Sequence, residues 1–304
     1  MIWRTPKYTG PERRKTPRRK LRPLRALLAL LALAAAGYVA AALWLMAQET
    51  RIVFEAVQTL GDARPAVPYE RVDLPGPEES GRFAWAMRQS GAPDAPWALY
   101  LHGSPSTVAS PVNIAHYALL HEAGLQVLAP EYRGFGGVRG TPSERGLLED
   151  ARAAYDYLRT REGVPPHRIV LYGWSLGGAV AIDLAAHVDA GAVILEGAPA
   201  SVADLNQKRY PFFPVRLLMR NAFESAARIA HVVEPVLFLH APEDAVVPFA
   251  DSGRLFAATP GRKQLLQIAG GHVTAIEVDG DRIRRAVRAF LQEHGIAAPE
   301  PRAD

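Results

Sequence analysis

The sequence predicts an α/β fold built on a mostly parallel sheet of eight strands with helices on both faces. Two observations support this prediction. Short apolar runs of strand length recur after Arg51, and amphipathic stretches of helix length separate the later runs. Strands that alternate with helices form a largely parallel sheet covered on both sides. The first runs follow one another without a helix, so that edge of the sheet is expected to be antiparallel.

Eight runs have the composition of strands. In chain order they are "ERVDLP", "GRFAWAMR", "WALYLHG", "LQVLAPEY", "RIVLYGW", "AGAVILEG", "PVLFLHA" and "KQLLQIAG". The helical stretches are 113–123, 143–161, 176–188, 249–258 and 279–293. Few residues separate Gly197 from the strand at Pro235, so the expected cap over the sheet is small or absent.

The N-terminal region differs from the rest of the chain. Residues 1–25 hold ten Lys or Arg against one acid, Glu12, and are predicted to be a basic cytoplasmic tail. Residues 26–47 carry no charge over 22 positions, enough for one transmembrane helix. The positive-inside rule places the basic side in the cytoplasm. We therefore expect a single-pass membrane protein whose folded domain is extracytoplasmic, which means periplasmic in a Gram-negative bacterium.

A cleaved signal peptide is the alternative interpretation, because Ala34 and Ala36 form a possible cleavage site. The apolar run continues well past that site, which favours an uncleaved anchor. The folded domain is then residues 48–297, followed by a short tail, 298–304. Outside residues 1–25 the chain has 25 Lys or Arg and 30 Asp or Glu, a net charge of −5, which argues against nucleic-acid binding by the domain. The chain has no cysteine, which excludes disulfides and a cysteine nucleophile.

The stretch "YGWSLGG" places Ser175 between Gly173 and Gly177, where a predicted strand turns into a predicted helix. A sharp reversal of this kind crowds Cβ atoms against the backbone, so glycines are needed around the serine. The pattern is that of a nucleophile elbow, which lifts the serine hydroxyl above the carboxyl edge of the sheet. The alternative is a glycine-rich turn with an incidental serine.

A serine nucleophile needs a base, and the base needs an acid that orients it. Asp244 follows the strand "PVLFLHA", and His272 follows the strand "KQLLQIAG", so both are expected at the same sheet edge as Ser175. Glu243 is the second candidate for the acid. Of the other histidines, His240 is interpreted as structural, and His116 is among those expected at the surface.

Acyl transfer also requires hydrogen-bond donors for the negative oxygen that forms on the substrate, the oxyanion. The backbone N–H of Leu176, directly after the serine, is one candidate. The backbone N–H of Ser104 in "LHGSP" is the other, since Gly103 lets that loop approach closely. No metal ligands and no cofactor are predicted.

These motifs resemble those of the α/β-hydrolase family, and more narrowly its membrane-anchored domain-containing proteins and prolyl-oligopeptidase-like serine hydrolases. The similar stretches are "LHGSP", "EYRGFGGVRGTPSERGLLEDARAAYDYL", "YGWSLGGAVAIDLA", "VILEGAPASVADL", "FLHAPEDAVVP" and "GGHVTA". The resemblance implies that Ser175 is the nucleophile, His272 the base and Asp244 the acid. Two positions depart from the family pattern, with Glu131 in place of Asp and Val138 in place of Ser.

The resemblance implies a serine hydrolase of esters, thioesters or amides and does not fix the substrate. We expect a carboxylic ester or a thioester, as a small molecule or a lipid-derived substrate, because the domain begins only a few residues beyond the predicted membrane helix. A membrane-anchored serine peptidase or amidase is an alternative. A binding module that retained the fold without catalysis is another. The oligomeric state stays open.

The segment 206–220, "NQKRYPFFPVRLLMR", is either a packed connection or a short lid over the site. As a lid, it would offer Tyr210, Phe212 and Phe213 as substrate-binding residues. Its Lys and Arg residues would suit anionic lipid head groups.

Overall fold

The computed structural model describes residues 1–5, 7, 10, 21–76 and 80–297. Most of the predicted basic tail and the whole predicted C-terminal tail, 298–304, lie outside these residues. The chain divides into two compact units, and the second begins at Gln48.

The first unit contains one long apolar helix, α1 (Leu21–Ala47). Its span Pro23–Ala47 has a mean hydropathy of 2.3 and is long and apolar enough to cross a membrane. The helix begins five residues before the uncharged run at Ala26, because Leu and Arg are good helix formers and Pro23 lies in the first turn, where proline is tolerated.

The second unit is an eight-stranded sheet, and the predicted fold class is confirmed. The strands are β1 (Glu70–Asp73), β2 (Phe83–Met87), β3 (Trp97–Leu101), β4 (Gln126–Pro130), β5 (Ile169–Trp174), β6 (Ala192–Glu196), β7 (Val236–His240) and β8 (Lys263–Gln267). Their order is β1-β2-β4-β3-β5-β6-β7-β8. The pairs β1–β2 and β2–β4 are antiparallel and the other pairs are parallel, as the missing early helices predict.

Helices cover both faces of this sheet. The second unit has α2 (Glu49–Phe54), α3 (Pro111–Glu122), α4 (Glu144–Thr160), α5 (Leu176–Ala185), α6 (Val202–Arg209), α7 (Val215–Leu218), α8 (Ser225–Arg228), α9 (Phe249–Ala258), α10 (Ala275–Val278) and α11 (Gly280–Glu293). Most bounds lie within three residues of those predicted. Helix α4 begins after Ser143, whose hydroxyl accepts from the Gly146 N–H and so caps the helix.

The alternation of side chains along each strand creates two cores. In β5, Ile169 and Leu171 pack on the face that carries α4 and α5, and Val170 and Tyr172 pack on the face that carries α3 and α11. Every residue of β5 is buried, as expected for a central parallel strand covered on both sides. The polar residues that follow the strands therefore collect at the carboxyl edge of the sheet, outside both cores.

Candidate active site

Ser175 lies on a strained turn between β5 and α5. Its backbone has φ 55° and ψ −124°, and positive φ is uncommon outside glycine. The Ser175 N–H donates to the carbonyl oxygen of Glu196 at 2.9 Å, which attaches the turn to the end of β6. Residues held in such conformations cluster at functional sites, where the surrounding structure imposes them.

The glycines around Ser175 leave no room for a side chain. A Cβ on Gly177 would lie 2.0 Å from the Leu101 carbonyl oxygen, and a Cβ on Gly173 would lie 2.4 Å from the Gly177 carbonyl oxygen. A Cβ on Gly178 would lie 2.5 Å from the Ala198 Cβ. Only glycine at these three positions lets α5 pass this close to the ends of the neighbouring strands.

The structure brings Ser175, His272 and Asp244 into one hydrogen-bonded chain. The His272 Nε2 lies 2.7 Å from the Ser175 Oγ, and the His272 Nδ1 lies 2.6 Å from the Asp244 Oδ2. An ionised carboxylate only accepts hydrogen bonds, so Nδ1 carries the proton and Nε2 is left to accept from the serine hydroxyl. This tautomer suits a general base acting on Ser175.

Asp244 is held by more than His272. Its Oδ1 accepts from the backbone N–H groups of Val246 and Val247, both at 2.8 Å. The Nε2 of His240 lies 3.3 Å from the Asp244 Oδ2 and 3.0 Å from the Val247 carbonyl oxygen. These contacts fix the direction of the carboxylate before any substrate is present.

The same contacts keep Asp244 ionised. Burial alone would raise the pKa of this carboxyl, but hydrogen bonds from His240, His272 and the Val247 N–H, with the charge on His272, hold the pKa well below its usual range. The neighbouring Glu243 is exposed to solvent. The structure thus places Asp244, and not Glu243, against the imidazole of His272.

His240 has a contact that its interpretation as structural did not anticipate. Its side chain is buried, its Nδ1 lies 2.6 Å from the Ser252 Oγ, and its Nε2 faces the Asp244 carboxylate as described above. A histidine four positions before an aspartate, at the end of a strand, is the sequence signal that could have indicated this contact.

Trp174 was not singled out from the sequence, yet it supports His272. Its indole ring stacks on the imidazole with the ring centres 5.6 Å apart and the planes 29° apart. Its Nε1 donates to the His272 carbonyl oxygen at 3.3 Å. Trp174, the residue directly before Ser175, therefore holds the loop that carries His272.

His116 was expected at the surface and that expectation is wrong. It is fully buried on α3, with its Nε2 3.0 Å from the Glu196 Oε2. Tyr172 donates a hydrogen bond to the same oxygen. Burial favours a raised pKa for Glu196, but the charge and hydrogen bond of His116, together with Tyr172, lower it. The residue was misplaced because a single histidine in an amphipathic stretch does not reveal a carboxylate on a distant strand.

The two candidate oxyanion donors lie on either side of the elbow. A Cβ on Gly103 would lie 2.7 Å from the Ser175 Cβ, so the loop after β3 touches the nucleophile turn. Ser104 follows in that loop, and its hydroxyl donates to the Phe54 carbonyl oxygen, which leaves only its backbone N–H for an oxyanion. Leu176 is the first residue of α5, where a backbone N–H has no partner within its own helix.

The departure from the family pattern at Glu131 has a structural explanation. This carboxylate is fully buried, with its Oε1 3.0 Å from the His102 Nε2 and its Oε2 accepting from the Val108 N–H at 3.1 Å. The glutamate thereby joins the loop after β4 to the loop after β3, which carries Ser104. Val138 is buried in the apolar core of the α3 face.

The predicted substrate-binding residues follow α6. Phe212 is 85% exposed, and Phe213 and Tyr210 are partly exposed. The Gln207 side chain donates to the Tyr210 and Phe213 carbonyl oxygens at 3.4 and 2.9 Å, which folds the segment back on α6. The role of these three side chains in binding substrate stays a prediction.

No candidate metal site occurs among the described residues. Across residues 1–5, 7, 10, 21–76 and 80–297, no three or more His, Cys, Asp and Glu side chains are grouped to hold an ion.

Comparisons with known proteins agree with the fold. The model of the Alpha/beta hydrolase family matches residues 98–302. The uncharacterized protein Rv2307c of Mycobacterium tuberculosis is 33% identical over 257 residues, covering 84% of this chain and 91% of that protein. The Alpha/beta hydrolase domain-containing protein 17B of Xenopus laevis is 29% identical over 198 residues, covering 64% of this chain and 66% of that protein.

A solved structure shares the fold. The esterase Pf2001 of Pyrococcus furiosus aligns with a TM-score of 0.62 at 17% identity, over 79% of this chain and 98% of that one. At this identity the likeness concerns the fold alone.

The elbow geometry predicts opposite outcomes for two glycine substitutions. Gly177→Ala forces a Cβ into the Leu101 carbonyl, so we expect it to lower the free energy of unfolding by about 3 kcal/mol, the upper part of the range for overpacking. Gly253→Ala is the matched control, because it lies in α9 with nothing within 4 Å of the new Cβ. It should be neutral or stabilise by up to about 1 kcal/mol. Urea unfolding of both variants measures this, and equal stabilities would contradict the assigned role of Gly177.

Proposed function

This chain belongs to the alpha/beta hydrolase family, and we propose that it is a serine hydrolase that cleaves carboxylic esters or thioesters, including lipid-derived ones. The observation that carries the proposal is the pair of short hydrogen bonds linking Ser175 to His272 and His272 to Asp244. A serine alcohol is a poor nucleophile, and an adjacent oriented imidazole activates it. The shared fold with an esterase supports the choice of an ester substrate.

The first half of the reaction forms an acyl-enzyme. The Ser175 Oγ attacks the substrate carbonyl carbon while the His272 Nε2 takes the hydroxyl proton. The oxyanion that develops accepts from the backbone N–H groups of Leu176 and Ser104, which are placed in advance of the reaction. His272 then gives its proton to the leaving alcohol or thiol, and the acyl group stays on Ser175.

The second half releases the acyl group. His272 takes a proton from a water molecule, which attacks the acyl carbonyl, and the same proton returns to the Ser175 oxygen as the carboxylic acid leaves. Asp244 stays ionised throughout and stabilises the imidazolium in both halves. The lowered pKa of Asp244 supports this role.

We also propose that α1 anchors the enzyme in a membrane with the N-terminus in the cytoplasm. The span Pro23–Ala47 is 25 residues long, and none of its most apolar window is buried within the structure. Nine of the ten basic residues among positions 1–25 precede this span, and the tenth, Arg25, lies in its first turn, which supports this orientation. The hydrolase domain then lies on the far side of the membrane.

Replacing the nucleophile tests the mechanism directly. Ser175→Ala should abolish labelling by a fluorophosphonate probe and lower p-nitrophenyl butyrate hydrolysis by at least about 10³-fold. The thermal midpoint should stay within about 2 °C, because the hydroxyl contributes chemistry and not packing. Ser90→Ala, at an exposed serine, is the control that keeps both labelling and turnover. Turnover retained by the Ser175 variant would overturn the mechanism.

A second pair of variants identifies the acid. Asp244→Asn should lower kcat by about 10³- to 10⁴-fold, because an amide can hold the imidazole in the wrong tautomer and cannot support its positive charge. Glu243→Gln removes a neighbouring carboxylate that is exposed, and its kcat should stay within about twofold of the unchanged enzyme. Measuring kcat for both variants at one pH identifies the acid, and a larger loss of kcat in the Glu243 variant would reassign it.

The lid hypothesis predicts a dependence on chain length. Phe212→Ala combined with Phe213→Ala should lower kcat/KM for long-chain p-nitrophenyl esters by about tenfold or more, since apolar contact with the acyl chain is lost. Butyrate esters, whose acyl chain has little apolar surface to lose, should change by less than about twofold. Val233→Ala, at a residue that is 76% exposed before β7, is the control. Equal losses at all chain lengths would leave this segment with a structural role alone.

A further inference from the structure

We propose that the surface formed by Lys208, Arg209, Phe212, Leu217 and Arg220, the docking face, rests on an anionic lipid bilayer. This inference depends on the proposed anchoring of α1 and adds a second, peripheral contact between the hydrolase domain and the membrane. Three independent observations on the domain support it: exposed apolar side chains, unpaired cations, and attachment to the first residues of the domain.

The docking face exposes large apolar side chains that its own segment does not cover. Phe212 and Leu217 are each 85% exposed, although they lie only five positions apart in the sequence. Single exposed apolar residues are common on soluble domains, but neighbouring ones mark a surface that meets a partner or a membrane. Residues of this type insert at the boundary between lipid head groups and acyl chains.

The cations of the docking face are available to a ligand. Lys208, Arg209 and Arg220 are exposed, and none of them has an ion pair with a described carboxylate. Arg216, by contrast, pairs with Asp204 at 3.2 Å and with Glu224 at 3.7 Å.

The carboxylates of Asp204 and Glu224, near the docking face, already have arginine partners. Asp204 also accepts from Arg254 at 2.8 Å, so its charge is shared between two arginines. The docking face therefore carries three cations without an ion pair to a described carboxylate, although the Arg209 guanidinium lies 5.8 Å from the Tyr210 ring centre, and the chain outside residues 1–25 has a net charge of −5. Each cation near an anionic membrane surface strengthens binding to it.

The start of the hydrolase domain holds the docking face in place. The buried Glu49 Oε1 accepts from the Arg220 and Asn221 N–H groups, both at 2.7 Å, and from the Asn221 Nδ2 at 3.0 Å. Glu49 follows Ala47, the last residue of the apolar helix, by two positions. The end of the docking face is thus bound to the point where the chain enters the domain, two residues along the chain from the apolar helix.

The same short helix also reaches the catalytic loop. Phe54, the last residue of α2, accepts a hydrogen bond from the Ser104 hydroxyl. Helix α2 therefore connects the docking face at one end to the proposed oxyanion loop at the other. A docked domain would present its catalytic edge to acyl chains that enter from the bilayer.

The chain has no cysteine, which allows a direct test on the full-length protein. Leu217→Cys and the control Val233→Cys, whose residue is 76% exposed, are labelled with the fluorophore NBD. Both are reconstituted into phosphatidylcholine vesicles with about 30% phosphatidylglycerol, a composition that supplies anionic head groups. We expect doxyl-lipid quenchers to reduce the Leu217 signal at least about twofold more than the Val233 signal, because only the first label lies in the head-group region.

Variants that remove cations test whether docking requires anionic lipid. Adding Lys208→Gln and Arg209→Gln to the Leu217 variant should lower quenching to the value seen in pure phosphatidylcholine vesicles. The matched control removes two other exposed cations, through Arg161→Gln and Arg262→Gln, and should leave quenching unchanged. Because the vesicles contain no other protein, quenching there identifies lipid and not a protein partner.

The outcomes separate this inference from the proposed function. Equal quenching at positions 217 and 233, or equal effects of the two charge pairs, overturns docking. Failure of the full chain to float with vesicles overturns both anchoring and docking. Fluorophosphonate labelling of each variant reports Ser175 independently, so quenching without labelling would retain docking and remove the hydrolase mechanism. Normal labelling with equal quenching at positions 217 and 233 would retain the hydrolase mechanism and remove docking.

Discussion

The close passage of α5 over the end of β3 is the constraint on which the rest of the site depends. Gly177 brings the first turn of that helix against the Leu101 carbonyl, and any Cβ there would overlap it. Only this approach leaves Ser175 in its strained conformation at the carboxyl edge of the sheet. The loop that carries Ser104 meets the same turn, since a Cβ on Gly103 would lie 2.7 Å from the Ser175 Cβ. Ser175 and the two candidate oxyanion donors therefore come together around one backbone contact.

A layer of carboxylate–histidine pairs lies beneath that edge. Glu131 contacts His102, Glu196 contacts His116, and Asp244 contacts both His240 and His272. Burying a carboxylate without a partner is costly, so each pair offsets a desolvation penalty that would otherwise destabilise the loop. Such pairs hold the loops after β3, β4, β7 and β8 and join the end of β6 to α3. They fix the positions of the side chains that these loops carry.

The N-terminal connection extends this arrangement beyond the site. Helix α2 contacts the segment after α6 through Glu49 and the loop after β3 through Phe54. A linker that only tethered the domain would have no need of a buried carboxylate with three hydrogen bonds. Its burial indicates that the path from the apolar helix into the domain is part of the hydrolase structure.

The sequence by itself determined the fold class, which edge of the sheet is antiparallel and the candidate residues Ser175, Asp244 and His272. These follow from local information: apolar periodicity marks strands and helices, glycines mark the sharp turn, and residues that follow parallel strands share one sheet edge. The choice between Asp244 and Glu243 was open, because adjacent carboxylates in a loop differ only in the direction that tertiary packing gives them.

Only the tertiary structure decided which distant groups meet. The burial of His116 against Glu196, the contact of His240 with Asp244 and the stacking of Trp174 on His272 join residues 4 to 98 positions apart. No periodic pattern encodes such pairs, because they depend on strand order and on the angle at which each loop leaves the sheet. The sequence can thus indicate which residues perform the chemistry, whereas the residues that hold them in position emerge from three-dimensional packing.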